Sequence, residues 1–367
     1  MSVVKLGDVA RESRLKWEES KLDVPVVGLE HLIPDEIRFD AFDTNTDNTF
    51  SKKFVKGQVL FGRRRAYQRK AAVAEFDGIC SGDITVIEAI EGKMMSELLP
   101  FIIQAPAFFD YANRGSAGSL SPRVKWGHLA SYEFELPPLE EQKVLADKLW
   151  AAYRLKEGYK KLLAATDEMV KSQFIEMFGN TTQFGFKKVN DLFSLSMGKT
   201  PSRAKSSYWD QDGYEWASIS DMGIWDKYVG KTAEHISKEA VFSTGIKLVP
   251  KNTIIMSFKL SIGRTCITTS DLYTNEAIMA FHPLTNAYNL DYLHFYIANY
   301  NWNNGVKQAV KGVTLNKESI GNSIFILPPK DLQEDFASIV RQADKSKFEL
   351  KRCIDNIDKV IKSLING

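Results

Sequence analysis

Apolar positions near the end of the chain recur in steps of four and three. Phe336, Val340, Ala343, Lys347, Leu350, Ile354, Ile357, Ile361 and Leu364 fall on one stripe. This is the heptad seam of a helix that packs lengthwise against another. The same register fits Leu145, Leu149, Ala152, Lys156, Tyr159, Leu163, Thr166, Val170 and Gln173. Each seam carries a small Ala and then a Lys at matching places. Pro137-Pro138 and Pro328-Pro329 precede the stripes, and proline suits the close of a strand and the first turn of a helix. The pattern predicts two helices of roughly 35–40 residues, about 55–60 Å long at 1.5 Å per residue. Two separate amphipathic helices, each on its own domain, are the plainer alternative. The matched registers favour two helices packed on each other.

The helices belong to an internal repeat. Phe134-Glu135-Leu136-Pro137-Pro138 returns 191 residues later as Phe325-Ile326-Leu327-Pro328-Pro329. Without a gap, Gln142 then falls on Gln333, Lys160 on Lys351, Asp167 on Asp358, Lys171 on Lys362 and Ser172 on Ser363. The regions before the helices correspond more loosely. Leu6-Gly7-Asp8-Val9 matches Val189-Asn190-Asp191-Leu192. Lys56-Gly57-Gln58-Val59-Leu60-Phe61 matches Lys251-Asn252-Thr253-Ile254-Ile255-Met256, each a turn followed by a buried-type strand. The expected order is module, helix, module, helix, over residues 1–138, 139–180, 181–329 and 330–367. Gly179-Asn180-Thr181-Thr182-Gln183 is the expected linker.

Composition narrows the class. The 367 residues are 44% hydrophobic and 26% charged, an ordinary globular balance for two or three domains. With 48 basic and 46 acidic residues the net charge is +2, so any nucleic-acid contact must come from local clusters. Cys80, Cys266 and Cys353 form neither a disulfide framework nor a CxxC pair and read as thiols of a reducing cytoplasm. The start of the chain lacks a signal-peptide pattern and no apolar run reaches membrane length, which predicts a cytoplasmic protein with no membrane partner.

The layout resembles the DNA-specificity subunits of type I restriction–modification systems. Leu136-Pro137-Pro138-Leu139-Glu140-Glu141-Gln142 is similar to the signature that opens that family's conserved helices. Gly198-Lys199-Thr200-Pro201-Ser202, followed by Tyr208-Trp209 and Trp216, is similar to the opening of its target-recognition domains. The first module has Arg11-Glu12-Ser13-Arg14-Leu15-Lys16 instead, and the second helix opens with Lys330-Asp331-Leu332 before Gln333. The resemblance implies an α+β fold: two mixed α/β target-recognition domains separated by two long conserved helices that form an antiparallel coiled coil. It implies a chain that reads a bipartite, asymmetric site in double-stranded DNA and contributes to phage defence. The implied partners are two methyltransferase (M) subunits and restriction/motor (R) subunits. S-adenosylmethionine, ATP and Mg belong to those partners, with no cofactor in this chain. Exposed apolar helix residues such as Leu155, Leu162 and Phe174 are candidate docking points for the methyltransferase.

The densest basic cluster is Arg63, Arg64, Arg65, Tyr67, Gln68, Arg69 and Lys70. It follows a strand, and arginine reads guanine or binds phosphate. Arg114, Ser119, Ser121, Arg123 and Lys125 surround a Gly- and Ser-rich stretch whose backbone N–H groups suit phosphate. The second module offers Lys199, Thr200, Ser202, Arg203 and Lys205; Lys259 and Arg264; and Lys311, Thr314, Asn316 and Lys317. The last group falls where Arg123 and Lys125 fall in the first module. For each, a solvated charged turn is the plain alternative.

Catalytic signatures are missing. Gly198-Lys199-Thr200 imitates the end of a P-loop, but Phe193 stands where that motif needs glycine. Neither Pro-Pro pair follows the Asn or Asp that an amino methyltransferase requires. His31, His128, His235, His282 and His294 show no metal-ligand spacing. The tryptophans read as core or interface anchors. A stand-alone nuclease or methyltransferase, and a coiled-coil scaffold without DNA readout, remain the competing readings.

Overall fold

The computed structural model describes residues 2–44, 47–118, 120–223, 227–259, 261–302 and 315–366. It divides into two compact units, Met1–Lys161 with Leu350–Gly367, and Leu162–Glu349. The long helices are Leu139–Phe178 and Lys330–Asn366, and each unit contains a stretch of both.

In the first unit, strand Ser2–Lys5 pairs antiparallel with Glu133–Leu136, which leads through Pro137-Pro138 into the long helix. A four-stranded sheet has Ala10–Glu12, Ile84–Ala89, Val59–Gly62 and Ala71–Val73 side by side, all antiparallel. A smaller sheet sets Val26–Val27 parallel to Gly78–Cys80 and Lys52–Phe54 antiparallel to it. Helices Leu99–Gln104 and Pro106–Arg114 cover the larger sheet through Phe101, Phe108 and Phe109, all fully buried. Leu149 and Tyr153 of the first long helix join this core, with Ile361, Leu364 and Ile365 of the second packed against it. Lys156 donates to Asp358 at 2.6 Å.

The second unit uses the same plan. Strand Gly185–Lys188 pairs antiparallel with Ile324–Leu327. The larger sheet runs Phe193–Met197, Ile278–Pro283, Ile254–Ser257, Thr265–Thr268 and Tyr228–Val229. Here Val170, Phe174 and Phe178 meet Phe336, Val340 and Ala343. The Phe178 and Phe336 rings are 5.6 Å apart, and Lys347 donates to Asp167 at 3.0 Å. Contacts advance along one helix as they retreat along the other, so the pairing is antiparallel. Every seam position read from the sequence is buried or half-buried. Phe174 belongs to this aromatic core, whereas Leu155 and Leu162 are exposed.

Two repeated residues explain their repetition. Gln142 is buried; its side chain donates to the Pro137 carbonyl and accepts from the Met95 N–H. Gln333 does the same with the Pro328 carbonyl and the Asn289 N–H. Each glutamine ties its helix start to its module and satisfies polar groups that burial would otherwise strand. The matched turns also recur. Gly57 and Asn252 adopt positive φ of 91° and 61°, and the Lys56 and Lys251 N–H groups donate to Asp77 and Asp271.

The second unit seats its module on the helix with charge. Lys227 donates to Asp291 at 2.7 Å and to Asp344, on the long helix, at 2.8 Å; Arg341 adds a bond to Asp291. His294 lies beside this group. Burial, with Lys227 nearby, pushes its pKa down to about 4. The unfolded chain therefore takes up this proton first, near the ordinary value of about 6.5, and stability is lost as the pH falls from there toward 4. Thermal unfolding between pH 7 and 4.5 should show this loss, up to about 3 kcal/mol, and His294→Gln should flatten it. An equal slope in both proteins would contradict this assignment.

Candidate nucleic-acid interface

Strand Val59–Gly62 delivers the arginine cluster to a loop. The Gly62 N–H donates to the Lys70 carbonyl at 2.8 Å and closes it. Ala66–Gln68 form a single 3-10 turn between Arg65 and Arg69, which hold left-handed φ of 54° and 55°. The structure brings this loop against the second candidate stretch, which lies about sixty residues later in the sequence. The Arg63 carbonyl accepts from the Val124 N–H, and the Arg65 N–H donates to the Pro122 carbonyl. Arg64 and Arg123 sit opposite each other in an antiparallel bridge.

The cluster then divides by partner. Arg69 bonds to Asp35 and lies over the Phe109 ring, and Lys70 donates to the Leu29 carbonyl. Both serve the module itself. Arg64 and Arg123 share Asp83. Arg63 and Arg65 have no ion pair among the described residues, and the Nε atoms of Arg63, Arg64 and Arg65 are buried without a partner there. Tyr67 and Lys125 are exposed, Gln68 is half-buried, and Arg114 lies over the Tyr111 ring. Ser119 lies outside the described residues.

The second unit repeats the loop. The Ser257 N–H donates to the Arg264 carbonyl at 2.8 Å, as Gly62 does to Lys70. Lys259 projects beside Phe258, and Arg264 Nη1 donates to the Ile219 carbonyl. The stretch opening at Gly198 is mostly consumed inside the module. A side chain at Gly198 would overlap the Thr274 carbonyl. The Trp216 indole donates to the Lys199 carbonyl and the Trp209 indole to the Ser202 carbonyl. Arg203 stacks 3.7 Å over Trp209 and grips Glu234 with both terminal nitrogens. Thr200 pairs with Glu276, Lys205 with Glu239, and Lys199 Nζ donates to the Thr244 carbonyl. Ser202 is exposed. Asn316 caps helix Lys317–Asn322 through the Ser319 N–H, and Lys317 is exposed. Lys311 and Thr314 lie outside the described residues.

Sequence reasoning passed over Asp83, because it enters the arginine loop from a turn some twenty residues further along the chain. It also passed over a grouping of Glu30, His31 and Asp43, whose ligand atoms lie within 4.8 Å of one another. His31 Nδ1 accepts from the Gly28 N–H at 2.9 Å. Nε2 is then the protonated nitrogen, facing Asp43 at 3.6 Å, so the ring offers a cation no lone pair. No helix among the described residues is long and apolar enough to cross a membrane.

The type I restriction modification DNA specificity domain matches residues 1–164 and again 182–358. The chain belongs to this family. Over 185 residues it is 22% identical to the MjaIX type I restriction enzyme specificity subunit of Methanocaldococcus jannaschii, a match covering 49% of this chain and 42% of that protein. Over 145 residues it is 29% identical to the EcoDI specificity subunit of Escherichia coli, covering 37% and 30%. The chain thus spans less than half the length of these curated relatives. The solved S subunit of the type I restriction-modification system from M. genitalium superposes with a TM-score of 0.58 at 12% identity, covering 100% of this chain and 96% of that one. The likeness shows a shared fold.

Arg203 separates scaffold from contact within this family's domain. Arg203→Ala should lower stability by about 1 kcal/mol, through lost stacking and a solvent-screened ion pair. The salt dependence of DNA binding should stay unchanged. A slope reduced by about one would instead mark a phosphate contact.

Proposed function

We propose that this chain is the DNA-reading subunit of a type I restriction–modification complex and catalyses no reaction itself. Each module reads one half of a split, asymmetric site in double-stranded DNA, and the paired long helices set the gap. The observation that carries this reading is the duplication. The family domain matches both halves of the chain, and each half presents a loop closed by the same hydrogen bond but bearing different side chains. Unlike loops on like scaffolds suit a site whose halves differ.

In the first module the contacts are Arg63, Arg64, Arg65, Tyr67, Arg114, Arg123 and Lys125. In the second they are Lys259, Arg264 and Lys317. Arg69, Lys70, Thr200, Arg203, Lys205 and Asn316 shape the loops that present them. Phosphate contacts fix register on the duplex, and contacts to base edges in the major groove supply sequence. Two methyltransferase subunits, bringing S-adenosylmethionine, dock on exposed helix residues, and motor–nuclease subunits bring ATP and Mg.

Genome-wide adenine methylation, mapped with and without this gene beside an active methyltransferase of the same system, tests the reading. Deletion should erase one two-part, asymmetric methylated motif. Unchanged methylation would overturn the proposal.

A further inference from the structure

The arginine loop of the first unit holds a carboxylate for which DNA binding alone gives no reason. Asp83 lies on the turn between strands Gly78–Cys80 and Ile84–Ala89. It accepts from Arg123 Nε at 2.6 Å and Nη2 at 3.3 Å, and from Arg64 Nη1 at 3.4 Å. Ser121 Oγ holds the other terminal nitrogen of Arg64 at 3.1 Å. The backbone fixes the same three segments. The Arg63 N–H donates to the Asp83 carbonyl at 2.9 Å, the Val124 N–H to Arg63 and the Arg65 N–H to Pro122. The Asp83 side chain is only 20% exposed, against 39% for Arg64 and 47% for Arg123. It therefore sits beneath the arginines while they reach the surface.

This arrangement opposes phosphate and suits a base edge. A phosphate oxygen at the loop would meet the Asp83 charge and compete for the Nε–Nη2 edge of Arg123 that Asp83 already occupies. A neutral base edge brings no such repulsion, and a guanidinium plane held by a carboxylate keeps donors aimed at it. Arg123's hydrogen bond also holds the Asp83 carboxyl below its ordinary range, so the carboxylate persists at neutral pH.

The matching position in the second unit carries no carboxylate side chain. The Phe258 N–H donates to the Ala277 carbonyl at 3.0 Å, as Arg63 does to Asp83. Ala277 therefore occupies the matching place.

We infer that Asp83 is a positioning residue for sequence readout, holding Arg64 and Arg123 for base edges and disfavouring phosphate in the first module alone. The inference rests on the DNA-reading proposal above.

Methylation maps of cells carrying the full chain with its methyltransferase test it. Asp83→Asn removes the charge and keeps the shape. One half of the motif should relax, with discrimination against single mismatches there falling at least about tenfold, while the other half stays intact. Ser121→Ala should relax the same half more weakly. A wild-type map without a split motif overturns the DNA-reading proposal and this inference together. A split wild-type motif that Asp83→Asn leaves unchanged, or relaxes equally in both halves, overturns the inference alone. Should Asp83→Asn abolish methylation altogether, Ser121→Ala decides: one relaxed half supports the inference, and an unchanged motif overturns it.

Discussion

A lysine placed in an apolar helix seam requires a carboxylate opposite it, and this fold is arranged around that requirement. Lys156 is only 17% exposed and bonds to Asp358 in the first unit; Lys347, its repeat equivalent, bonds to Asp167, the equivalent of Asp358, in the second. Both cations are partly withdrawn from water, so a parallel arrangement that took away these aspartates would cost stability. Parallel packing in register would set lysine beside lysine. The antiparallel register gives each one an aspartate, so two polar residues specify an alignment that the surrounding Leu and Ile would leave loosely defined. The buried Gln142 and Gln333 then tie each helix start to its module. The order of dependence runs from helix pairing, to the seat of each module, to the loops.

Much of this is legible in the sequence because it is periodic. The seam from Phe336 to Leu364 repeats every heptad, and the offset that aligns it with the first seam also aligns Lys156 with Lys347 and Gln142 with Gln333. The turns at Gly57 and Asn252 are recognisable from their place before a buried strand. Phe174 marks the limit of such reading. A large apolar residue off the seam looks exposed on a helical projection, yet the Phe295 ring of a neighbouring helix covers it at 5.2 Å.

The loops are less legible because charge pairing is settled in three dimensions. Arg203 and Lys205 read as contact residues until Glu234 and Glu239 arrive from elements about thirty residues away. Arg64 and Arg123 read as separate clusters until Asp83 joins them. The family opening at Gly198 is legible as a motif, but its carbonyls accept the Trp209 and Trp216 indoles and its glycine admits the Thr274 carbonyl, so it builds the module. Similarity in these residues therefore reports scaffold.

On the proposed reading, the long helices set the gap between the two half-sites. The most direct measurement is the methylated motif of a chain lacking one heptad from each helix between the repeated Lys and Asp. Such a deletion removes about 10 Å of helix. The account predicts both halves of the motif unchanged and the gap between them altered. The same gap, with both halves still recognised, would contradict it.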